Sequence, residues 1–435
     1  MMKYDKYKSS EIDWLGLIPE HWIAYRVDWI GKMIRGNSGF KKDELLENGA
    51  YVALQYGKTY KVDEVNNTFN FYVNSEFYKF SQIVQHGDTI LISTSETIED
   101  LGHSCFYKRS DLGLVGGEQI LLKPNSKFVI DKYLYYYTTI FSGELKKYAT
   151  GLKVFRFNTD DLKKIFIAIP AIIEQMAIAE YLDTKTQAID KKINLLIKKI
   201  EHFRELRKSI VNHAVSKGLD KNAKLKESGV KWIGKIPEHW DVKRLKDVCN
   251  IFNGATPDSQ NNEYWDGGIN WITPAEFGKE KFIYSSKRTI SEKGLKSCAT
   301  RLVPVGTIII SCRAPIGSIV IAGSKLSTNQ GCKSLIAKEI NNIFLYYYLS
   351  INNQILSALG NGTTFNEIST TNLVNLFVIF PNKKEQKAIA TYLDEKTQKI
   401  DAIVTNIGKQ IATLKELRKT LIKDVVTGKI KVTNI

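Results

Sequence analysis

The sequence predicts an α+β protein in which two homologous domains are joined by two long helices. Two observations predict this class. The 435 residues consist of two copies of one module, and each copy ends in a heptad-patterned segment of about 40 residues. Each heptad segment is preceded by a block with short β-branched runs broken by Gly and Asn, such as "GDTILIST" in the first copy and "GTIIISCRAPIGSIVIA" in the second. We therefore expect a mixed or antiparallel sheet with helices in each domain, and a pseudo-two-fold internal repeat.

The internal repeat is defined by two pairs of matched segments. The stretch "WLGLIPEHW" at 14–22 returns as "WIGKIPEHW" at 232–240, with seven of nine positions identical. The stretch "EQMAIAEYLDTKTQAID" at 174–190 returns at 385–401 with 13 of 17 positions identical. The offset falls from 218 to 211 between the two pairs, so the first divergent block carries seven extra residues. One module was duplicated, and mainly its middle has diverged.

The second matched segment carries apolar residues at alternating spacings of three and four. Both copies have the same phase, and both interrupt the stripe with a Thr and an Arg at equivalent positions. Such a stripe without internal proline predicts two helices that pair with each other, although a pair of helices within a larger bundle core is the alternative. The predicted pairing residues are Leu182, Ile189, Ile193, Leu196, Ile200, Leu393, Ile400, Val404, Ile407 and Ile411.

The predicted domain boundaries follow from these segments. A first domain is expected at 1–168 and a first long helix at 169–218. A linker and second domain are expected at 219–379, and a second long helix with a C-terminal tail at 380–435. Each helix should begin shortly after a proline, Pro170 or Pro381, because proline favours the first turn of a helix.

Charge and composition narrow the class of protein. The chain has 62 Lys and Arg against 46 Asp and Glu, a net charge of +16, which favours a polyanionic partner such as nucleic acid. A lysine-rich composition without such a partner is the alternative. No apolar run reaches eighteen residues and the N-terminal stretch is polar, so we expect a cytoplasmic protein. Five scattered Cys residues without a CxxC or paired-His pattern predict no metal site.

The repeated motifs, together with three stretches of the second block, resemble the specificity subunit of a Type I restriction-modification system. The three stretches are "GATPDSQNNEYWDGGINWITPAEF" (254–277), "STNQGC" (327–332) and "GNGTTFNEIS" (360–369). The resemblance covers essentially the whole chain. It implies two target recognition domains that each read one half of a bipartite DNA site. It also implies that the two long helices pack antiparallel as a spacer and dock the methyltransferase subunits.

The same resemblance sets the expected partners and cofactors. Double-stranded DNA, two methyltransferase subunits and the endonuclease subunits are the expected partners, without a membrane. S-adenosylmethionine, ATP and Mg²⁺ are expected in the partner subunits and none in this chain, which is expected to be non-catalytic. The sequence agrees, since it has no Pro-Pro pair for an adenine methyltransferase motif and no phosphate loop of the form GxxxxGK[ST].

The DNA-contacting residues are predicted from the side-chain types that reach bases and phosphates. In the second domain the resemblance points to Thr256, Thr273, Arg313, Asn329 and Gln330, and the Gly-Thr-Thr loop adds Thr363 and Thr364. In the first domain, positional alignment offers Gln55, Tyr56, Lys58, Gln119, Lys153 and Arg156. For each of them an ordinary polar loop is the alternative. The repeated Trp and His residues are expected to be packing corners.

Two other functions remain open from the residues alone. One is a self-contained nuclease or methyltransferase, for which "ELK" at 144–146 is half of a carboxylate-lysine motif without an upstream Asp partner. The other is a coiled-coil scaffold or an RNA-binding protein. Activity without partners would favour the first, and indifference to duplex DNA sequence would favour the second.

Overall fold

The computed structural model describes residues 2–278, 280–313, 315–360 and 367–432. The chain forms two compact units, and the first contains both chain termini. The first unit is Met1–Leu196 with Lys409–Ile435, and the second is Ile197–Gly408. Both units contain helices and sheets, so the predicted α+β class is confirmed. No helix in the described ranges combines the length and apolar character needed to span a bilayer.

The first unit contains fifteen strands and four short helices before a long helix begins. Its strands are β1 (Tyr7–Ser9), β2 (Leu17–Pro19), β3 (Ile23–Arg26), β4 (Gly31–Arg35), β5 (Tyr51–Leu54), β6 (Glu64–Val65), β7 (Tyr72–Val73), β8 (Ile83–Val84), β9 (Thr89–Ile92), β10 (Thr94–Ser95), β11 (Ser104–Tyr107), β12 (Gly113–Val115), β13 (Gln119–Pro124), β14 (Phe155–Arg156) and β15 (Phe166–Ile169). Its helices are α1 (Val27–Ile30), α2 (Tyr56–Thr59), α3 (Asp131–Leu145), α4 (Thr159–Leu162) and the start of α5 (Ile172–Lys217).

The second unit repeats this succession of elements. Its strands are β16 (Leu225–Glu227), β17 (Lys235–Pro237), β18 (Asp241–Arg244), β19 (Cys249–Asn253), β20 (Trp265–Ile272), β21 (Phe282–Ile283), β22 (Thr289–Ile290), β23 (Ile308–Ser311), β24 (Ile319–Ala322), β25 (Ser327–Thr328), β26 (Cys332–Ala337) and β27 (Phe377–Phe380). Its helices are α6 (Leu245–Val248), α7 (Glu292–Ser297), α8 (Asn342–Ile351), α9 (Asn353–Ala358), α10 (Thr370–Val374) and α11 (Lys383–Val426), of which α11 continues into the first unit.

The central sheets of the two units have the same strand order. In the first unit the five-stranded sheet runs β4-β13-β9-β11-β6, and in the second it runs β19-β26-β23-β24-β21. The final pair is parallel in both sheets, β6 with β11 and β21 with β24, whereas the other pairs are antiparallel. The predicted mixed sheet and internal repeat are therefore confirmed. The topology is retained although the sequence has diverged, because equivalent strands carry buried β-branched residues that pack into the core of their own unit.

Each unit also contains segments of both long helices, and these run antiparallel. In the first unit Asp190 of α5 lies against Arg418 of α11. Just beyond the end of α11, Gly428 lies against Trp22, close to Glu174 at the start of α5. The direction of the chain is therefore opposite in the two segments. In the second unit the predicted pairing residues Leu393, Ile400 and Ile407 are buried, as are Leu182 and Ile193 in the first. The remaining five, Ile189, Leu196, Ile200, Val404 and Ile411, are half-buried.

The repeated Glu-Gln pair at the start of each long helix fixes the helix to its recognition domain. The Gln175 side chain is fully buried, accepts a hydrogen bond from Ile130 N at 2.8 Å and donates to Phe128 O at 3.0 Å. Gln386 repeats this arrangement with Asn341 N and its own upstream proline. An amide with one acceptor and two donors suits such a bridge, so the sequence repeats glutamine here.

The repeated Asp and Thr one turn apart hold a tyrosine of the recognition domain. Tyr136 donates to Asp183 Oδ1 at 2.6 Å and lies 3.2 Å from Thr186 Oγ1. In the second unit Tyr347 makes the same two contacts, at 2.7 and 2.8 Å, with the equivalent Asp and Thr. The polar interruption of the heptad stripe thus has a structural cause, since the threonine closes a buried hydrogen-bond network.

The repeated Arg interrupts the stripe because it forms an ion pair across the helix pair. Arg418 Nε lies 3.0 Å from Asp190 and its NH2 group 3.4 Å from Asp63. Arg207 lies 3.0 Å from Asp401, the equivalent pair of the second unit. The Arg418 side chain is only 21% exposed, against 36% for Arg207. The two pairs are therefore equivalent in sequence but differ in burial and in the number of carboxylates.

Arg418→Ala is expected to destabilise the first unit more than Arg207→Ala destabilises the second. Losing a partly buried guanidinium that bridges two carboxylates should cost about 1–3 kcal/mol. Losing the more exposed pair should cost about 0–1 kcal/mol. Hydrogen exchange followed by mass spectrometry on each unit measures both losses in the same chain. Equal losses would contradict the difference in burial.

The tryptophan that ends the repeated Ile-Pro-Glu-His-Trp stretch is a packing corner in each unit, as expected. The histidine before it is not, because His21 and His239 are exposed and hydrogen-bond Glu174 and Glu385. Trp22 and Trp240 are both fully buried. A Cβ on Gly428 would lie 3.3 Å from the Trp22 ring, and one on Gly218 would lie 3.1 Å from the Trp240 ring. Each glycine has a positive φ and ends a long helix, where αL backbone favours glycine. The indole of each tryptophan therefore meets the end of one long helix.

Candidate nucleic-acid interface

In the first unit the loops carrying the predicted contact residues meet at one edge, which we call the first rim. It comprises residues 38–42, 55–58, 93–95, 116–118 and 153–157. Backbone hydrogen bonds join these loops: Gly116 N donates to Leu54 O at 2.9 Å, and Ser93 N donates to Glu118 O at 3.0 Å. Phe157 N in turn donates to Ser93 O at 3.0 Å. Residues far apart in sequence are thus placed side by side.

Three predicted residues surround the short helix α2 of the first rim. Gln55 precedes it, and Tyr56 stacks on Tyr60 with ring centroids 5.6 Å apart. Lys58 Nζ lies 4.2 Å above the ring of Phe71. All three predicted residues are half-buried, so their backbone is fixed while their side chains remain accessible in part. Aromatic faces beside an ammonium group suit contacts with nucleic acid, which combines aromatic bases with charged phosphates.

The prediction that Gln119 contacts DNA is wrong, because its side chain is fully buried. Its Nε2 donates to Leu54 O and its Oε1 accepts from Thr59 Oγ1, both at 2.7 Å. The strand register explains the error. Ile120 pairs with Arg35 and Lys333 pairs with Asn253, so the counterpart of Gln119 is Cys332 rather than Gln330. Gln119 positions α2 and does not reach the surface.

The arginines of the two rims stand at different positions of the repeat. In the first unit Arg156 is exposed on β14 and pairs with Thr94 of β10, and Lys153 is exposed in the preceding loop. In the second unit Arg313 stands at the position of Thr94, and its Nε donates to Glu367 Oε2 at 3.0 Å. Glu367 stands where Arg156 stands. Both rims keep an arginine at this place, although the two arginines are not equivalent in sequence.

The second rim comprises residues 256, 273, 313, 329–330 and 367 of the second unit. Thr256 Oγ1 hydrogen-bonds Gln330 Oε1, and Asn329 N donates to Ile272 O at 3.0 Å. Thr273 begins a single turn of 3₁₀ helix, Pro274–Glu276, and donates to Glu276 at 3.1 Å. The five named residues of the second domain are thus brought to one edge. The predicted Thr363 and Thr364 lie outside the described residues.

Sequence reasoning missed part of the first rim. Ser38, Lys41 and Lys42 follow β4 and line a cleft with Gln55 and Tyr56. The signal was present, since Ser38 stands 218 residues before Thr256, which the resemblance had named. The loop "GNSGFKK" differs too much from "GATPDSQ" for the sequence alone to show that Ser38 and Thr256 correspond.

No cluster of three His, Cys, Asp or Glu side chains suited to a metal ion occurs in the described ranges. Near the second rim, burial raises the pKa of the Cys312 thiol to about 12, and burial likewise raises the pKa of Cys332. Both thiols stay protonated at neutral pH and are poor nucleophiles.

Comparison with known proteins identifies the module. The family model for the "Type I restriction modification DNA specificity domain" matches residues 19–199 and again 237–413. The two matches correspond to the two copies of the repeat. The chain belongs to this family. The two rims are thus the corresponding edges of two specificity domains, each with its own set of side chains.

Individual relatives agree with the family match. The chain is 38% identical over 197 residues to the MjaIX specificity subunit of Methanocaldococcus jannaschii. This matched stretch covers 44% of this chain and 45% of that protein. It is 28% identical to the putative MjaX specificity subunit of the same organism, over 99% of this chain and 98% of that protein. A chain from a structural study of type I system assembly shares the fold, with a TM-score of 0.75 at 18% identity, covering 95% and 99% of the two chains.

Proposed function

We propose that this specificity-domain chain is the DNA-reading subunit of a type I restriction-modification complex, and that each rim reads one half of a bipartite site. The observation that carries the proposal is the repetition of one topology with two different sets of rim side chains. A repeated frame supports two similar readers, whereas different side chains at the same positions give each reader its own base sequence. The net charge of +16 supplies the attraction to phosphates that is common to all sequences.

The rim residues divide into two kinds of contact. Gln55, Thr273, Asn329 and Gln330 carry donors and acceptors that match base edges in the major groove. Lys153 and Arg156 are exposed cations suited to phosphates, which position the protein without selecting a sequence. Arg313 is partly neutralised by Glu367, so we assign it a contact made only where the DNA competes with that carboxylate.

We propose that the partner subunits carry both the methyltransferase and the endonuclease activity. We place two methyltransferase subunits on the long helices. S-adenosylmethionine is bound by these methyltransferase subunits, and ATP and Mg²⁺ by endonuclease subunits. The complex acts in the cytoplasm. Two equivalent docking surfaces are supported by the repeat itself. Leu206 and Leu417 stand 211 residues apart in "ELRK" stretches, and both are about half exposed, at 47% and 51%. Exposed leucines at equivalent helix positions suit two copies of one partner.

Methylome sequencing of the host with and without this gene tests the proposal. We expect one bipartite methylated motif to disappear when the gene is deleted and to return with the intact gene on a plasmid. The isolated chain should show no methyltransferase or nuclease activity, and it should co-purify with the cognate methyltransferase. A methylome that does not change on deletion, with no such association, would refute the assignment.

A further inference from the structure

The first rim contains a cleft of about 400 Å³ that neither the fold nor the family assignment accounts for. Ser38, Lys41, Lys42, Gln55, Tyr56 and Gly117 are among the residues that line it. Its floor is backbone, because Gly36 approaches Gly116 so closely that a Cβ would lie 1.9 Å from the carbonyl oxygen of Gly116. Glu118, also in its wall, has a positive φ of 64°, which is rare for a residue other than glycine. Constrained backbone of this kind is common where a ligand is held.

Two buried oxygens of this cleft have no hydrogen-bond partner in the protein. Among the described residues only three buried side-chain polar atoms lack a partner, and two of them are Ser38 Oγ and Gln55 Oε1. Ser38 is only 2% exposed. Burying polar atoms without a partner costs free energy, and such atoms are rare in folded proteins. Finding two of them in one cleft indicates that something outside the chain completes their hydrogen bonds.

The equivalent atoms of the second rim are satisfied internally. Thr256 stands at the position of Ser38, and its hydroxyl is hydrogen-bonded to Gln330. Thr273 stands at the position of Gln55, and its hydroxyl donates to Glu276. The unsatisfied pair is therefore a property of the first rim and not of the shared fold. A role in specificity fits this difference, since the two rims must recognise different sequences.

We propose that Gln55 and Ser38 form the base-reading pocket of the first rim and recognise an adenine in its half-site. This proposal rests on the proposed function. Gln55 is half-buried, and its amide turns out of the cleft wall when DNA binds, which relieves the burial of Oε1. The amide then matches the major-groove edge of adenine, because Oε1 accepts from the exocyclic N6 amine while Nε2 donates to N7. The same movement opens the Ser38 hydroxyl to the same base step. Lys41 and Lys42, at the mouth of the cleft, contact flanking phosphates.

The test uses the complete complex in its host, with Gln55→Ala and Ser38→Ala as separate variants and methylome sequencing as the measurement. The half-site of the first rim is assigned beforehand by exchanging residues 26–168 for the block of a relative. Each variant is expected to relax one A·T position of that half-site, lowering discrimination there by about 5- to 150-fold. Gln55→Glu should lower methylation of the original motif as well, because a carboxylate cannot donate to N7.

Stability separates a reading role from a structural one. Removing an unpartnered buried hydroxyl breaks no internal hydrogen bond, so Ser38→Ala should leave the thermal midpoint of the chain unchanged or raise it. Gln85→Ala is the matched control, because Gln85 is an exposed glutamine of the same unit away from the cleft. It should leave both half-sites intact.

Three outcomes would overturn the pocket while leaving the proposed function in place. They are an unchanged motif in Gln55→Ala, a relaxed position that is a G·C pair, and equal weakening of both half-sites. Failure of the proposed function gives a different result, because methylation would then not depend on this gene at all.

Discussion

A chimaera in which residues 244–379 are replaced by the corresponding block of another family member is expected to methylate a motif with one half exchanged and the other half unaltered. Both junctions lie on paired strands, since β18 ends at Arg244 and β27 contains residue 379, with Val242 opposite Ile379. The block carries the whole second rim, whereas the helix segments that support it stay in place. The change should therefore be complete at one half-site, because every base contact of that rim is replaced.

The donor block has to preserve one contact with the frame. Tyr347 lies inside the exchanged block and bonds to Asp394 and Thr397 outside it, so the donor should have tyrosine at this position. Exchange of residues 26–168 is the reciprocal control and should alter only the other half of the motif. A chimaera that assembles and methylates but changes both halves would show that base recognition is shared between the two domains.

Trp22→Ala is expected to cost about 3–5 kcal/mol in the free energy of unfolding of the first unit, whereas the second unit keeps its stability. The Trp22 side chain is fully buried, packs on Tyr4 at a centroid distance of 5.8 Å and lies against Gly428. Its Nε1 has no hydrogen-bond partner, so the loss is one of packing rather than of a polar contact. Hydrogen exchange of first-unit peptides measures it without assuming a single unfolding transition.

Trp29→Ala supplies the matched control, seven residues along the same segment. Its side chain is 66% exposed, and truncating an exposed residue usually changes stability by less than about 0.5 kcal/mol. Similar losses in the two variants would contradict the role of Trp22 as the corner that joins the first recognition domain to the end of α11.

The frame was predictable from sequence because both copies keep its contacts. Duplication preserved Asp190 with Arg418 and Asp401 with Arg207, and the heptad stripe is visible without coordinates. The reason for its polar interruptions was not visible. Thr186 and Thr397 meet tyrosines from another element, and such long-range partners have no signature in a periodic pattern. The helices and their pairing could thus be predicted, but their attachment to the recognition domains could not.

The rims were predictable only where a strand fixes the alignment. Gln55 and Thr273 follow strands that end at equivalent positions, so their correspondence survives in the structure. Gln119 was misplaced because the turn after its strand is two residues longer than the equivalent turn of the second unit, so the offset of 211 that holds for the long helices does not hold for β13. Ser38 was missed because its loop, although equal in length to that of the second unit, has changed in nearly every residue and in charge. Loops diverge fastest where recognition differs, and sequence similarity is then weakest at the residues that matter.

The discontinuity of the first unit has a consequence for synthesis on the ribosome. Residues 409–435 belong to that unit but are translated only after all of the second unit, Ile197–Gly408. At about 5–20 residues per second, the nascent first domain waits on the order of tens of seconds for the segment that covers Trp22. The second unit has no such delay and can close earlier, although it lies later in the gene. Premature stop codons near the 3′ end would therefore damage the domain encoded at the 5′ end.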